Sequence, residues 1–129
     1  MKPSIEKVAI IGAGALGAAY GSILYEMNPQ CVCFIASGAR YEKLKRDGVV
    51  VNGKRYAIAV DRPEEATPAD LLIVAVKHHH LDQAIGEMKK AVGTATTILS
   101  VMNGIDSEER IGAVYGMDKV IYGLTLGID

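Results

Sequence analysis

Three glycines, Gly12, Gly14 and Gly17, stand in the spacing G-x-G-x-x-G inside the stretch "VAIIGAGALGAAYG". Glycines so spaced do not react; they hold phosphates. The first permits a sharp turn, the second lets a pyrophosphate approach the backbone, and the third lets a following helix pack closely. The free N–H groups and positive dipole end of that helix then face the anion. The spacing carries this meaning only between a strand and a helix. "KVAII" reads as a short buried strand before it, and "ALGAAYGSILYEM" as a helix after it, ending at Asn28-Pro29 where proline prevents continuation.

The same stretch has competing readings. From Val8 to Tyr25 it runs 18 residues without a charge, near the lower limit for a membrane-spanning helix, and Gly17-x-x-x-Gly21 matches a membrane dimer motif. The composition argues against a span, because β-branched residues gather only at the front and four glycines follow. A signal peptide has no need of that glycine spacing. No membrane association is expected.

The bulk numbers narrow the class further. A chain of 129 residues is the size of one domain. Its 14 basic and 15 acidic side chains nearly balance, which excludes a nucleic-acid-coating or polybasic surface protein and points to a small-molecule or protein partner. The cysteines, Cys31 and Cys33, lie two apart in "CVCFIA", where a strand points both to one face and an unstrained disulfide does not form. They are expected to be reduced sheet residues of a cytoplasmic protein, ahead of a redox or metal pair.

"CVCFIA" is also the second strand that the glycine loop requires. The residue 20 positions beyond Gly17 is Ser37, followed by Gly38, Ala39 and Arg40, with no acid where a ribose 2′-hydroxyl is usually gripped. A serine hydroxyl, a glycine N–H and a guanidinium can all donate to a 2′-phosphate, so NADP(H) is expected over NAD(H). Arg40 also reads as an exposed first-turn residue of a helix "RYEKLKR"; the missing acid favours the phosphate role.

Beyond it, "VVVNGKRYAIAV" reads as a hairpin turning at Asn52-Gly53, placed at or beside the main sheet. "LLIVAV" suits a parallel strand buried on both faces, and it delivers Lys77, His78, His79 and His80 to its carboxyl end, the edge where open α/β sheets bind ligands. Adjacent histidine side chains diverge and no carboxylate pattern completes a site, so no metal is expected. Lys77 is either a ligand contact or a solvated strand-end lysine.

"LDQAIGEMKKAV" has the apolar spacing of a helix covering the sheet, through Leu81, Ala84, Ile85, Met88 and Val92. "TTILSVMNGI" is a further strand ending at Asn103-Gly104, which is either a turn or an amide facing nicotinamide or substrate. "SEERIGAVYG" reads as a helix with Ser107 at its N-cap, and "KVIYGLTLGI" as a last strand. The alternation predicts a doubly wound, Rossmann-type α/β fold with a mainly parallel sheet and helices on both faces.

Taken in order, "VAIIGAGALGAAYG", "VKHHH" after a buried strand and "SVMNGI" resemble the amino-terminal domain of the ketopantoate reductase (2-dehydropantoate 2-reductase) family over essentially all 129 residues. The resemblance implies NADPH-dependent reduction of 2-dehydropantoate to pantoate, on the route to pantothenate and coenzyme A. It implies that Gly12, Ala13, Gly14, Ala15, Leu16 and Gly17 form the pyrophosphate loop and that Lys77 and Asn103 line the nicotinamide end, Asn103 also facing the substrate. Family members commonly carry arginine at the end of the second strand, where this chain has Ser37 with Arg40 three residues later.

The family's catalytic lysine and most substrate-binding groups come from a carboxyl-terminal helical domain, absent from these 129 residues. The chain is therefore expected to be a cofactor-binding domain, inactive alone, with no catalytic residue of its own. Its expected partner is a small-molecule 2-oxo acid, and apolar surface that normally meets the second domain would permit a homodimer. The alternatives are another NAD(P)-dependent hydroxy acid dehydrogenase and a non-catalytic NADP(H)-binding module.

Overall fold

A computed structural model describes residues 5–102 and 106–121. Along the chain lie β1 (Val8–Ile11), α1 (Ala15–Met27), β2 (Val32–Ile35), α2 (Gly38–Asp47), β3 (Val49–Val51), β4 (Lys54–Tyr56), β5 (Ala59–Asp61), β6 (Leu71–Val74), α3 (Leu81–Glu87), β7 (Thr97–Ser100), α4 (Asp106–Tyr115) and β8 (Val120–Ile121). Six strands form one sheet in the order β5-β2-β1-β6-β7-β8, every pair parallel. Chain order reverses at β1, whose residues Val8 to Ile11 pair with Val32 to Ile35 on one side and Leu71 to Val74 on the other. This is the doubly wound α/β architecture of the Rossmann type.

The core arises from the period of two in the strands. Val8, Ile10 and Phe34 face a layer containing Ala18 of α1 and Tyr56 of the hairpin, while Ala9, Ile11, Leu72 and Val74 face Leu81 and Ala84 of α3, Met88 just beyond it and Ile111 of α4. With both faces covered, β1, β2 and nearly all of β6 are buried, which is why they read as continuous apolar runs. Among the described residues no helix is long and apolar enough to cross a membrane.

Several boundaries differ from the sequence reading. β3 and β4 do turn at Asn52 and Gly53, both with positive φ (52° and 79°) as a tight hairpin requires. The hairpin stops at Tyr56, however, and Ala59–Asp61 leaves it to pair with β2 at the edge of the main sheet. Leu81–Glu87 is α-helical, but residues 89–91 tighten into a 3₁₀ turn. Ser107 is not an N-cap: α4 begins at Asp106, and the buried Ser107 hydroxyl meets that of Ser100 at 2.9 Å.

The cysteines do not share a face. Cys33 packs in the layer with α3 and α4, while Cys31 packs in the layer with α1, because it precedes β2 and is still held to the end of α1 by its N–H on the Asn28 carbonyl. Burial, the largest cause, pushes the Cys33 thiol up to about 11, with the Asp61 carboxylate acting in the same sense.

The starts of β1 and β6 are tied by one carboxylate. Asp70 Oδ2 accepts the backbone N–H groups of Glu6 (2.8 Å) and Lys7 (2.9 Å), which hold its pKa below the ordinary value. A lowered folded-state pKa contributes stability at pH above the unfolded value, about 3.9, and that contribution disappears as pH falls through the folded value. Asp70→Asn should therefore lower the urea midpoint at pH 7, and the gap from wild type should narrow as pH falls below about 3.9, the unfolded value. A gap that persists unchanged in acid would show that the carboxylate charge is not what matters.

Candidate functional site

The site begins where β1 ends. Gly12 has φ +108°, and a Cβ there would lie 2.4 Å from the Ala75 carbonyl oxygen just beyond β6, so only glycine lets the chain leave β1 at this point. Gly17, in the first turn of α1, is tighter still: its Cβ would lie 1.8 Å from the Gly12 carbonyl oxygen. Gly14 has nothing within 4 Å of a Cβ position. Two glycines are thus needed for contact within the fold, and the third faces open space.

That space is a cleft of about 1060 Å³ along the carboxyl ends of β1, β2 and β6, at the point where strand order reverses. Gly14 caps α1 without a side chain, and the first N–H groups of a helix have no partner within it. The turn therefore presents unpaired donors and a positive dipole end to the cleft, which is suited to an anion. A smaller hollow of about 240 Å³, lined by Leu44, Lys45 and residues 57–60 among others, lies apart from these groups.

The cleft brings together most of the residues singled out from the sequence. Gly12, Ala13, Gly14, Ala15, Ser37, Arg40 and Lys77 all line it. Leu16 and Gly17 do not: Gly17 is buried behind the turn, and Leu16 is exposed. Asn103 lies outside the described residues. Lys77 is exposed beyond β6, ahead of a 3₁₀ turn at His78–His80.

Ser37 departs from expectation in its bonding. It stands at the N-cap of α2 but does not cap it; its hydroxyl donates instead to Glu87 Oε2 at 2.7 Å, at the far end of α3. The same oxygen accepts from Gln83 Nε2 at 2.8 Å. The acid missing from the end of β2 is therefore supplied in space by a residue 50 positions later. Lys43, Gln83 and Glu87 all line the cleft, and none was singled out by the sequence pattern. The available signal was the helical spacing of His80, Gln83 and Glu87 opposite the apolar stripe of α3, although pairing Glu87 with Ser37 also requires knowing that β6 and β2 flank β1.

Across the same rim, Arg40 Nη2 lies 3.4 Å from His80 Nδ1. Burial first, then the neighbouring His79, Arg40 and Lys77, lower the His80 pKa from its ordinary value; a guanidinium can only donate, so in this contact Nδ1 is the acceptor. The His79 and His80 rings are 4.1 Å apart and tilted. Among the described residues no three metal-ligating side chains converge.

Comparison with known proteins gives a consistent picture. A family model described as "Ketopantoate reductase PanE/ApbA" matches residues 8–127. A 2-dehydropantoate 2-reductase of Pyrococcus horikoshii is 30% identical over 122 residues, covering 92% of this chain and 39% of that protein. The crystal structure of a 2-dehydropantoate 2-reductase from Geobacter metallireducens matches with TM-score 0.78 and 31% identity, over 92% of this chain and 40% of that one. A ternary structure of D-mandelate dehydrogenase with NADH and anilino(oxo)acetate matches with TM-score 0.78 and 26% identity, over 91% and 40%. The chain spans about two-fifths of the length of the curated relatives it matches.

The glycines separate stability from binding. Gly17→Ala should cost about 1–3 kcal/mol or more in urea unfolding despite alanine's better helix propensity, because the obstructing atom is backbone. Gly14→Ala should cost at most about 1 kcal/mol yet weaken dinucleotide binding. Equal stability losses at the two positions would contradict the packing described.

Proposed function

The chain belongs to the ketopantoate reductase family, and from that membership we propose that it forms the cofactor-binding part of a nicotinamide-dependent reductase. The proposed reaction is reduction of 2-dehydropantoate to pantoate, and the proposed cofactor NADP(H). The observation that carries the reading is the open cradle at Gly14, bordered by the first turn of α1 and opening into the cleft at the reversal of strand order.

The residues present fit such a group. The turn from Gly12 to Gly17 would hold the pyrophosphate, with Leu16 and Gly17 shaping it from outside the cleft. Arg40, with Lys43 beside it, would attract a 2′-phosphate at the adenosine end, and Lys77 would stand toward the nicotinamide end; for Asn103 the same role is proposed on the family resemblance alone. When bound, the dihydronicotinamide supplies the hydride that reduces the substrate ketone. The chain's own residues bind and orient: the helix end neutralises phosphate charge, and Lys77 brings a cation to the edge where negative charge develops on the substrate oxygen. The proton donor is assigned to residues outside this chain, so binding without turnover is the expected behaviour of residues 1–129.

A second reading, another NAD(P)-dependent hydroxy acid dehydrogenase, is favoured by the likeness to D-mandelate dehydrogenase. It shares the cofactor cleft and differs in substrate, which groups outside this chain would select.

Titrating the chain with NADPH and NADH, alongside Arg40→Ala, tests the proposal. NADPH should bind more tightly than NADH, and the substitution should weaken NADPH roughly tenfold or more, as loss of a charge-assisted hydrogen bond does, with little effect on NADH. Binding of neither cofactor would overturn the cofactor-domain reading. Full turnover of 2-dehydropantoate by this chain would overturn the assignment of the proton donor elsewhere.

A further inference from the structure

Glu87 and Ser37 each break a local rule that nothing in their own helices explains. Glu87 is the last residue of α3, at the negative end of the helix dipole, where a carboxylate is disfavoured and no basic side chain stands in the last turn to offset it. Its partner Ser37 occupies an N-cap position and forgoes the cap that serine ordinarily makes. The two give up these local preferences for one contact across the cleft, at the rim where Arg40 and Lys43 also stand.

We infer that Glu87 is a specificity-determining residue that sets the balance between the 2′-phosphorylated and 2′-hydroxyl forms of the dinucleotide. The inference rests on the cofactor-domain reading above. Arg40, Lys43 and the uncapped first turn of α2 attract a dianionic 2′-phosphate, while the Glu87 carboxylate, held beside Ser37 by the Ser37 and Gln83 hydrogen bonds, repels it. A ribose 2′-hydroxyl meets the opposite balance, since a carboxylate oxygen can accept its proton. The wild-type preference for NADPH is therefore narrow, and Glu87 is what narrows it.

Glu87→Gln removes the charge and keeps an oxygen that can still accept from Ser37, so the contact across the rim survives. Glu87→Lys reverses the charge. The measurement is the dissociation constant of each variant and of wild type for NADPH and NADH. It is repeated with 2′,5′-ADP and 5′-AMP, which carry only the adenosine end, and thermal melting verifies folding.

Glu87→Gln should tighten NADPH and 2′,5′-ADP about five- to tenfold at low salt, the scale of one like-charge contact in a water-like dielectric. NADH and 5′-AMP should stay level or weaken. Glu87→Lys should shift the ratio further, and both shifts should shrink as salt is raised. If wild type binds NADPH and NADH but the variants leave their ratio unchanged, or weaken both equally, the inference is wrong while the cofactor-domain reading stands. If wild type binds neither dinucleotide nor the adenosine fragments, both fall.

Discussion

The fold turns on one close approach: the Gly12 carbonyl sits where a side chain at Gly17 would be, and Gly12 itself lies against the backbone at Ala75. No side chain fits at either point. Because the turn is this tight, α1 starts immediately after β1 and its amino terminus is aimed over the sheet edge between β1 and β6. The dipole end, its unpaired N–H groups and the reversal of strand order then coincide. A looser connection would separate the helix end from the crevice, leaving an anion-binding end with nothing to bind.

The rest of the cleft is arranged around this fixed point by parallel register. β2 and β6 flank β1 residue for residue, so the segments leaving all three strands emerge at the same edge: Ser37 and Arg40 after β2, Lys77 and the histidines after β6. Two side-chain contacts join these flanks, Ser37 to Glu87 and Arg40 to His80. Each sets a group suited to a phosphate against one that modifies its charge or hydrogen bonding. On the proposed reading this rim, where the adenosine end would lie, is a balance of opposing charges, unlike the turn at Gly12–Gly17, which is built from backbone and depends on no ionisable side chain.

The parts legible in the sequence were those governed by neighbours along the chain. α1 runs over the residues expected because its start is set by the glycines and its end by Asn28-Pro29; the buried strands β1, β2 and β6 and the Asn52-Gly53 turn arise from equally local signals. The features that the sequence did not disclose depend on approach in space. The fate of Ala59–Asp61 was decided by the free edge of β2, and a serine that looks like a cap at Ser107 was taken into the core by Ser100. Glu87 was missed for the same reason: its importance lies in a partner 50 positions away. The two cysteines, two apart and seemingly on one face, separated because only Cys33 lies in the strand.

The central claim, that the turn at Gly12–Gly17 holds dinucleotide phosphate on backbone donors, is tested most directly by mapping amide NMR shifts of the chain as NADPH is added. The account predicts the largest changes at the amides of residues 13–17, with a second group at residues 37–40. Changes confined to the smaller hollow near Ala57 and Ile58, or saturable binding that leaves residues 13–17 unmoved, would contradict it.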